Sequence, residues 1–178
     1  ELVKAYDKRK EKAEEFAQEM NSRMGINVKA VDTLEEVVID ADLLVTLTPV
    51  REPIIQNEWI REGVHINAIG ADAPGKEELQ PEILRRAKIV VDDWAQASHS
   101  GEINVPFKKG IITKENVYGE LGEIVAGLKP GRISNDEITV FDSTGLSIQD
   151  VVTGWHVYEV AKEKGIGYDI DAFYLPNI

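Results

Sequence analysis

Hydrophobic and polar positions along the chain follow two periods in turn. Residues 2–6 (Leu-Val-Lys-Ala-Tyr) read as a short strand. Over residues 8–24 the apolar side chains fall at Ala13, Phe16, Ala17, Met20 and Met24, a stripe along one helix face, and Gly25 is a natural stop. Ile26, Asn27 and Val28 open a second strand, and Thr33 with Glu36 makes a capping box for a short helix through Val38. Residues 43–47 are almost continuously apolar up to Thr48 and Pro49, as expected of a strand buried on both faces. Residues 64–69 form a further strand ended by Gly70. Leu79, Ile83, Leu84 and Ala87 then mark a helix, and residues 88–91 the next strand. Residues 94–137 are less regular, with a helix expected near 119–128. A last strand at 138–141 leads at Gly145 into a long helix ending near Lys164.

Strands alternating with helices in this way predict an α/β fold: a Rossmann-like, doubly wound, mostly parallel sheet covered on both faces. The chain opens directly on a strand, with no G-x-G-x-x-G motif ahead of it. It therefore reads as a Rossmann unit met at its second strand, lacking the first strand and the glycine-rich loop.

Composition narrows the functional class. With 43% hydrophobic and 29% charged residues in 178, this is an ordinary globular chain, and no apolar run approaches the ~20 residues of a membrane span. A net charge of -12 argues against nucleic acid as partner, because its phosphates would be repelled. The densest basic cluster, Lys8, Arg9, Lys10 and Lys12, is interleaved with Glu11, Glu14 and Glu15 and reads as a solvated helix face. No signal-peptide pattern opens the chain, and the absence of cysteine excludes thiolate metal sites. Both fit a cytoplasmic location.

Ligands of open parallel sheets bind at the carboxyl ends of the strands. Asp7 follows the first strand and is either a ribose-binding acid, favouring NAD over NADP, or a helix N-cap. Residues 70–76 (Gly-Ala-Asp-Ala-Pro-Gly-Lys) fix a tight path that presents one carboxylate and one ammonium group. There Lys76 could neutralise a cofactor phosphate or orient Asp72, and Asp72 could position an amine or move a proton. The alternative is an ordinary turn with exposed charges. Asp142, Ser143, Thr144 and Gly145 lead a strand into a helix, offering hydroxyls and free N–H groups to an amide or anion, or simply a cap by Ser143 or Thr144. His65 reads as a packed strand residue, His156 as a structural helix residue and His99 as a loop residue. Asp92 and Asp93 are a functional acid pair or, more simply, a helix cap. No spacing suggests a metal site.

Taken together, several segments resemble the ornithine cyclodeaminase/mu-crystallin family. They are residues 65–79, the Asp92-Asp93 end of 88–93, Gly101-Glu102-Ile103-Asn104, Gly122-Glu123-Ile124 with Ala126-Gly127, and residues 141–146 with Ile148-Gln149-Asp150. Within the family the match is closest in kind to the archaeal alanine dehydrogenases. The resemblance implies a nucleotide-binding domain at residues 1–145, and at 146–178 a C-terminal helix and tail returning toward a second domain for substrate and dimerisation. It implies Asp72 as the catalytic aspartate. Asp7 would bind the adenosine ribose, Thr48 would touch the cofactor, Ala68, Ile69 and Gly70 would line its crevice, Lys76 would reach it, and Ser143 would sit near the nicotinamide. The implied partners are NAD, a small amino-acid or imine substrate, and a second copy in a homodimer. The implied activity is an alanine dehydrogenase, with ornithine cyclodeaminase or ketimine reductase as alternatives and a non-catalytic cofactor-binding protein as the alternative of another class. The family's substrate-binding arginine and lysine lie ahead of the matching stretch, so this chain is expected to be inactive alone.

Overall fold

A computed structural model describes residues 1–168. They form two units, residues 1–144 and a second from residue 145 onward. In the first unit, β1 (Val3–Ala5) pairs in parallel with β2 (Val28–Ala30), and α1 (Lys10–Met24) packs on both. Gly25 ends α1 in the left-handed region at φ 65°, a conformation glycine adopts without steric cost. Thr33 caps α2 (Leu34–Val38) by accepting the Glu36 N–H at 3.2 Å.

The larger sheet holds β3 (Leu43–Thr46), β4 (His65–Ala68), β5 (Lys88–Val91), β6 (Val117–Glu120) and β7 (Thr139–Asp142), in the order β3-β4-β7-β5-β6, and every pairing is parallel. Its helices are α3 (Pro81–Arg86), α4 (Trp94–Ser100), α5 (Asn104–Lys108) and α6 (Leu121–Val125). The core lies on one face of this sheet. There Leu44, Ile66, Val140, Ile89 and Val91 meet Leu79, Ile83 and Leu84 around α3, with Ala97 of α4 and Ile103. Helices exclude water from this face, so the mid-strand residues Leu44, Ile66, Val140 and Ile89 are branched and apolar, and polar Thr46 and Asp142 appear only at the carboxyl ends of their strands.

Four expectations need correction. β3 is not buried on both faces: Leu43 and Val45 are 58% and 46% exposed, while Leu44 and Thr46 point into the core. The opposite face of the sheet is covered only in part, leaving a concavity of about 250 Å³ among His65, Val90, Phe141, Leu121 and Ile124. Residues 119–128 are not one helix, because Gly119 and Glu120 extend the strand β6 and α6 is confined to Leu121–Val125. His99 sits in α4 rather than a loop.

In the second unit, α7 (Ser147–Glu163) is capped by Gln149, whose side chain accepts the Leu146 N–H at 3.1 Å. Neither Ser143 nor Thr144 caps it. Ile148, Val151, Val152 and Trp155 on α7 are exposed. The expected tail falls largely in residues 169–178, outside the described residues. Among the described residues no helix is long and apolar enough to cross a membrane, and no cluster of three or more His, Cys, Asp or Glu side chains could hold a metal ion.

Candidate functional site

The carboxyl ends of β3, β4 and β7 lie side by side, because the register aligns Thr46, Ala68 and Asp142 across the sheet. The chain segments that leave these strands therefore meet. Ile69 and Gly70 donate their N–H groups to the Thr46 carbonyl at 3.0 and 3.1 Å, and Ser143 donates to the Ala68 carbonyl at 3.0 Å. This brings Thr48, Ala68, Ile69, Gly70 and Ser143 to one end of the sheet. From there the loop 70–76 projects, with Gly75 in the left-handed region at φ 80°.

On that loop Lys76 forms an ion pair with Asp72. The lysine side chain is 17% exposed and the aspartate 63%. The ammonium, by hydrogen bond and charge, holds the Asp72 carboxyl below the usual carboxylate range, so it is ionised at neutral pH. Arg51 closes over the loop by donating to the Pro74 carbonyl at 3.1 Å.

Beneath the loop lies a run of buried acids to which sequence reading assigned no role. Glu78, Glu102 and Asp142 have no exposed surface, and among the described residues no lysine or arginine forms an ion pair with them. Main-chain N–H groups take the place of cations. Glu78 accepts from Thr48 N at 2.6 Å, Thr48 Oγ1 at 2.7 Å and Gly70 N at 3.1 Å. The N–H of Glu78 in turn goes to Glu102 Oε1 at 2.9 Å, and that of Leu79 to the same oxygen at 2.7 Å. The N–H groups of Glu102 and Ile103 go to Asp142 at 2.9 and 3.1 Å. Each acid thus anchors the main chain of the next. A fourth, Asp92, accepts from Thr144 N at 2.6 Å and from Asp93 N at 2.8 Å, while Asp93 caps α4.

Burial penalises these charges. It pushes Asp142 up to about 7, partly opposed by the two N–H groups it accepts, and Glu102 well above the carboxylate range. The only local trace of the arrangement is glycine. At Gly101 a Cβ would lie 2.5 and 2.6 Å from the two Asp142 carboxylate oxygens, and at Gly70 one would lie 2.7 Å from Glu78 Cδ.

The remaining expected residue, Asp7, stands apart. It follows β1 and accepts the Arg9 N–H at 2.8 Å, with the Arg9 Nε 3.8 Å away. It is not the cap of α1, whose N-cap position is Arg9. His65 is half-buried, between Thr139 Oγ1 at 2.7 Å and Asn67 Oδ1 at 3.1 Å, and burial lowers its pKa.

Comparison with known proteins matches this geometry to one family. The family model for the ornithine cyclodeaminase/mu-crystallin family matches residues 1–165. The alanine dehydrogenase of Archaeoglobus fulgidus is 54% identical over 173 residues, covering 97% of this chain and 53% of that protein. A solved archaeal alanine dehydrogenase dimer with bound NAD superposes with a TM-score of 0.89 at 53% identity, over 97% of this chain and 53% of that one. The Δ1-pyrroline-2-carboxylate reductase of Thermococcus litoralis, solved with NADH and L-proline, gives 0.91 at 41% identity over 96% and 53%. The chain spans about half the length of the curated relatives it matches. The family model extends over nearly the whole chain, and the protein belongs to the ornithine cyclodeaminase/mu-crystallin family.

Proposed function

We propose that residues 1–145 are the nucleotide-binding domain of an NAD-dependent amino-acid oxidoreductase acting on alanine, and that residue 146 onward leads toward a second domain for substrate and dimerisation. The observation that carries this reading is the gathering of Thr48, residues 68–70, the Asp72–Lys76 pair and Ser143 at the carboxyl ends of three adjacent parallel strands. That is where an open parallel sheet holds its ligand.

The side chains fit a dinucleotide. Asp7 uses Oδ1 on the Arg9 N–H, which leaves Oδ2 to accept from a ribose hydroxyl and to repel a 2′-phosphate. Thr48 donates its hydroxyl proton to Glu78 and keeps its lone pairs for a ligand donor. Lys76 has N–H donors beyond the one spent on Asp72. Ser143, with its main chain tied to Ala68, holds its hydroxyl at the end of β7.

The cofactor, when bound, supplies the acceptor for a hydride from the substrate's α-carbon. The part of this chain is to hold the substrate nitrogen and to handle its protons. Asp72, kept ionised by Lys76, suits an ammonium group as a counter-charge. It can also take a proton from the water that adds to the imine before ammonia leaves. Lys76 keeps that carboxylate at the mouth of the crevice.

A second reading, reduction of a cyclic imine in the reverse direction, is favoured by the 41% identity to the Thermococcus litoralis reductase. The same aspartate, ionised, would then stand as counter-charge to an imine that arrives already protonated on nitrogen, the hydride adding to its carbon to give the amine.

The test is titration of NADH and NADPH into the protein, following fluorescence and melting temperature, with Asp7→Ala as control. Saturable NADH binding that raises the melting temperature and weakens in Asp7→Ala supports the reading. Equal response to both cofactors, or none, refutes the assignment of Asp7. Assays of an enzyme that includes this chain, with alanine, ornithine and Δ1-pyrroline-2-carboxylate, separate the substrate readings.

A further inference from the structure

We propose that Asn104 is the residue that places the Asp72–Lys76 pair, by gripping the main chain of the loop on both sides of the Gly75–Lys76 peptide. The inference rests on the reading that Asp72 acts on the substrate, and it adds a residue to which no role has been given.

Asn104 begins α5 and has no exposed surface. Its Oδ1 accepts the Gly75 N–H at 3.0 Å. Its Nδ2 donates to the Lys76 carbonyl at 2.9 Å and to the Gly101 carbonyl at 2.6 Å. One carboxamide thus meets the main-chain donor before the peptide and the acceptor after it. Both amide hydrogens are used, so the orientation of the side chain is fixed by its partners. A loop that turns through a left-handed glycine has few main-chain contacts of its own: the Asp72 N–H to Gly70 and the Lys76 N–H to Ala73 close it internally, beside the Asp72–Lys76 side-chain pair. From outside, Glu78 and Thr46 hold its start at Gly70 and Arg51 reaches the Pro74 carbonyl, while Asn104 grips Gly75 and Lys76. Because the Lys76 backbone is held and its side chain is only 17% exposed, packing restricts where the ammonium sits, and the ammonium fixes the otherwise exposed Asp72.

The same segment holds the far end of the loop. Glu102, two residues before Asn104, binds the N–H groups of Glu78 and Leu79. Glu102 and Ile103 are themselves anchored on Asp142 at the end of β7. Residues 101–104 therefore tie the loop to the strand that carries Ser143, so that Asp72 and Ser143 share one support.

The test reads Asp72 directly. The carboxyl carbon of Asp72 is titrated by nuclear magnetic resonance in the unaltered protein, Asn104→Ala, Lys76→Ala and the double variant. The expected result is a midpoint below the ordinary range in the unaltered protein. It should return toward that range in Asn104→Ala and Lys76→Ala alike, with no further change in the double variant. A purely structural asparagine would leave the midpoint unmoved, and an unmoved midpoint in folded Asn104→Ala overturns the proposal. Should that variant not fold, amide exchange of the unaltered protein decides: a Gly75 N–H protected at least about tenfold over exposed loop amides supports the grip, and unprotected exchange overturns it.

In an enzyme that includes this chain, Asn104→Ala is expected to lower kcat about 10²-fold, the scale of a small misplacement, with KM for the cofactor little changed. A moved Asp72 midpoint with kcat unchanged would support the placement and overturn only the catalytic reading of Asp72.

Discussion

Two sets of carboxylates lie within one stretch of chain and obey opposite electrostatics. On the loop, Asp72 is exposed, paired with Lys76, and held below the usual range. Under the loop, Glu102 and Asp142 are buried, paired with no cation, and pushed up. The difference lies in the kind of partner. A side-chain ammonium brings full charge and leaves the aspartate free for a ligand. Main-chain N–H groups bring only partial charge, and they make the acid part of the scaffold. On the proposed reading chemistry belongs with the first set, and the hydrogen bonds make the second part of the architecture.

Removing an acid from the lower set should cost the most. Asp142→Ala leaves the N–H groups of Glu102 and Ile103 buried without an acceptor, a penalty of about 3 kcal/mol. At ~2–4 °C per kcal/mol for a chain of this size, melting should fall by roughly 6–12 °C in a calorimetric scan. A change of only a degree or two would mean that water replaces the acid, and the contrast between the two sets would collapse.

Crowding the lower set should cost somewhat less. The backbone at Gly101 is extended (φ -78°), so alanine is not strained there, but its Cβ would meet the Asp142 carboxylate. Gly101→Ala is expected to cost about 2 kcal/mol by overpacking, read as a shift in the urea midpoint.

The pH dependence of stability sharpens the comparison without disrupting packing. A carboxyl raised on folding takes up a proton as the chain folds. Its contribution is therefore present at low pH and is lost as pH rises from the ordinary range near 4 through the folded value, about 7 for Asp142. Each such group contributes a slope of at most about 1.4 kcal/mol per pH unit. Lowered acids such as the exposed Asp72 and the half-buried Glu137 oppose this weakly. Glu102→Gln keeps an oxygen for the Glu78 and Leu79 N–H groups and removes one titration. Its stability relative to the unaltered protein should rise between pH 4 and 8. A constant difference across that range would show that Glu102 is not raised.

The smallest effect on the fold belongs to the upper set. Asp72→Asn should leave the melting temperature unchanged while lowering turnover of an enzyme that includes this chain about 10²-fold or more. A variant that keeps its activity would remove Asp72 from the chemistry.

Much of this fold is legible in the sequence, because periodicity and caps are local signals. The stripe at Ala13 and Ala17, the stop at Gly25, the Thr33 cap and the strands ending at Thr46, Ala68 and Asp142 each announce themselves within a few residues. β6 does not, since Gly119 interrupts a four-residue strand whose identity comes from pairing with β5. The exposed side chains of β3 were unreadable for a similar reason, because an apolar run gives no indication of which of its faces is covered. The Asp72–Lys76 pair was legible as a charged, glycine-bounded turn. Glu78 and Glu102 were not, because in sequence they look like solvated charges. Apart from the Thr48 hydroxyl, their partners are main-chain N–H groups, those of Thr48, Glu78 and Leu79 lying 30, 24 and 23 residues away, and a main-chain donor carries no side-chain signature. Asn104 was hidden by the same cause.

The buried acids also change how the molecule looks to a ligand. A formal charge of -12 suggests a surface that turns anions away. Yet with Asp142 half-protonated near pH 7, and burial raising the Glu102 carboxyl in the same direction, the floor of the crevice presents less negative charge than its residues imply. Main-chain dipoles and Lys76 then set the local field. An acidic protein can in this way offer an anionic ligand a nearly neutral berth, and the strength of that welcome should weaken as the medium turns alkaline.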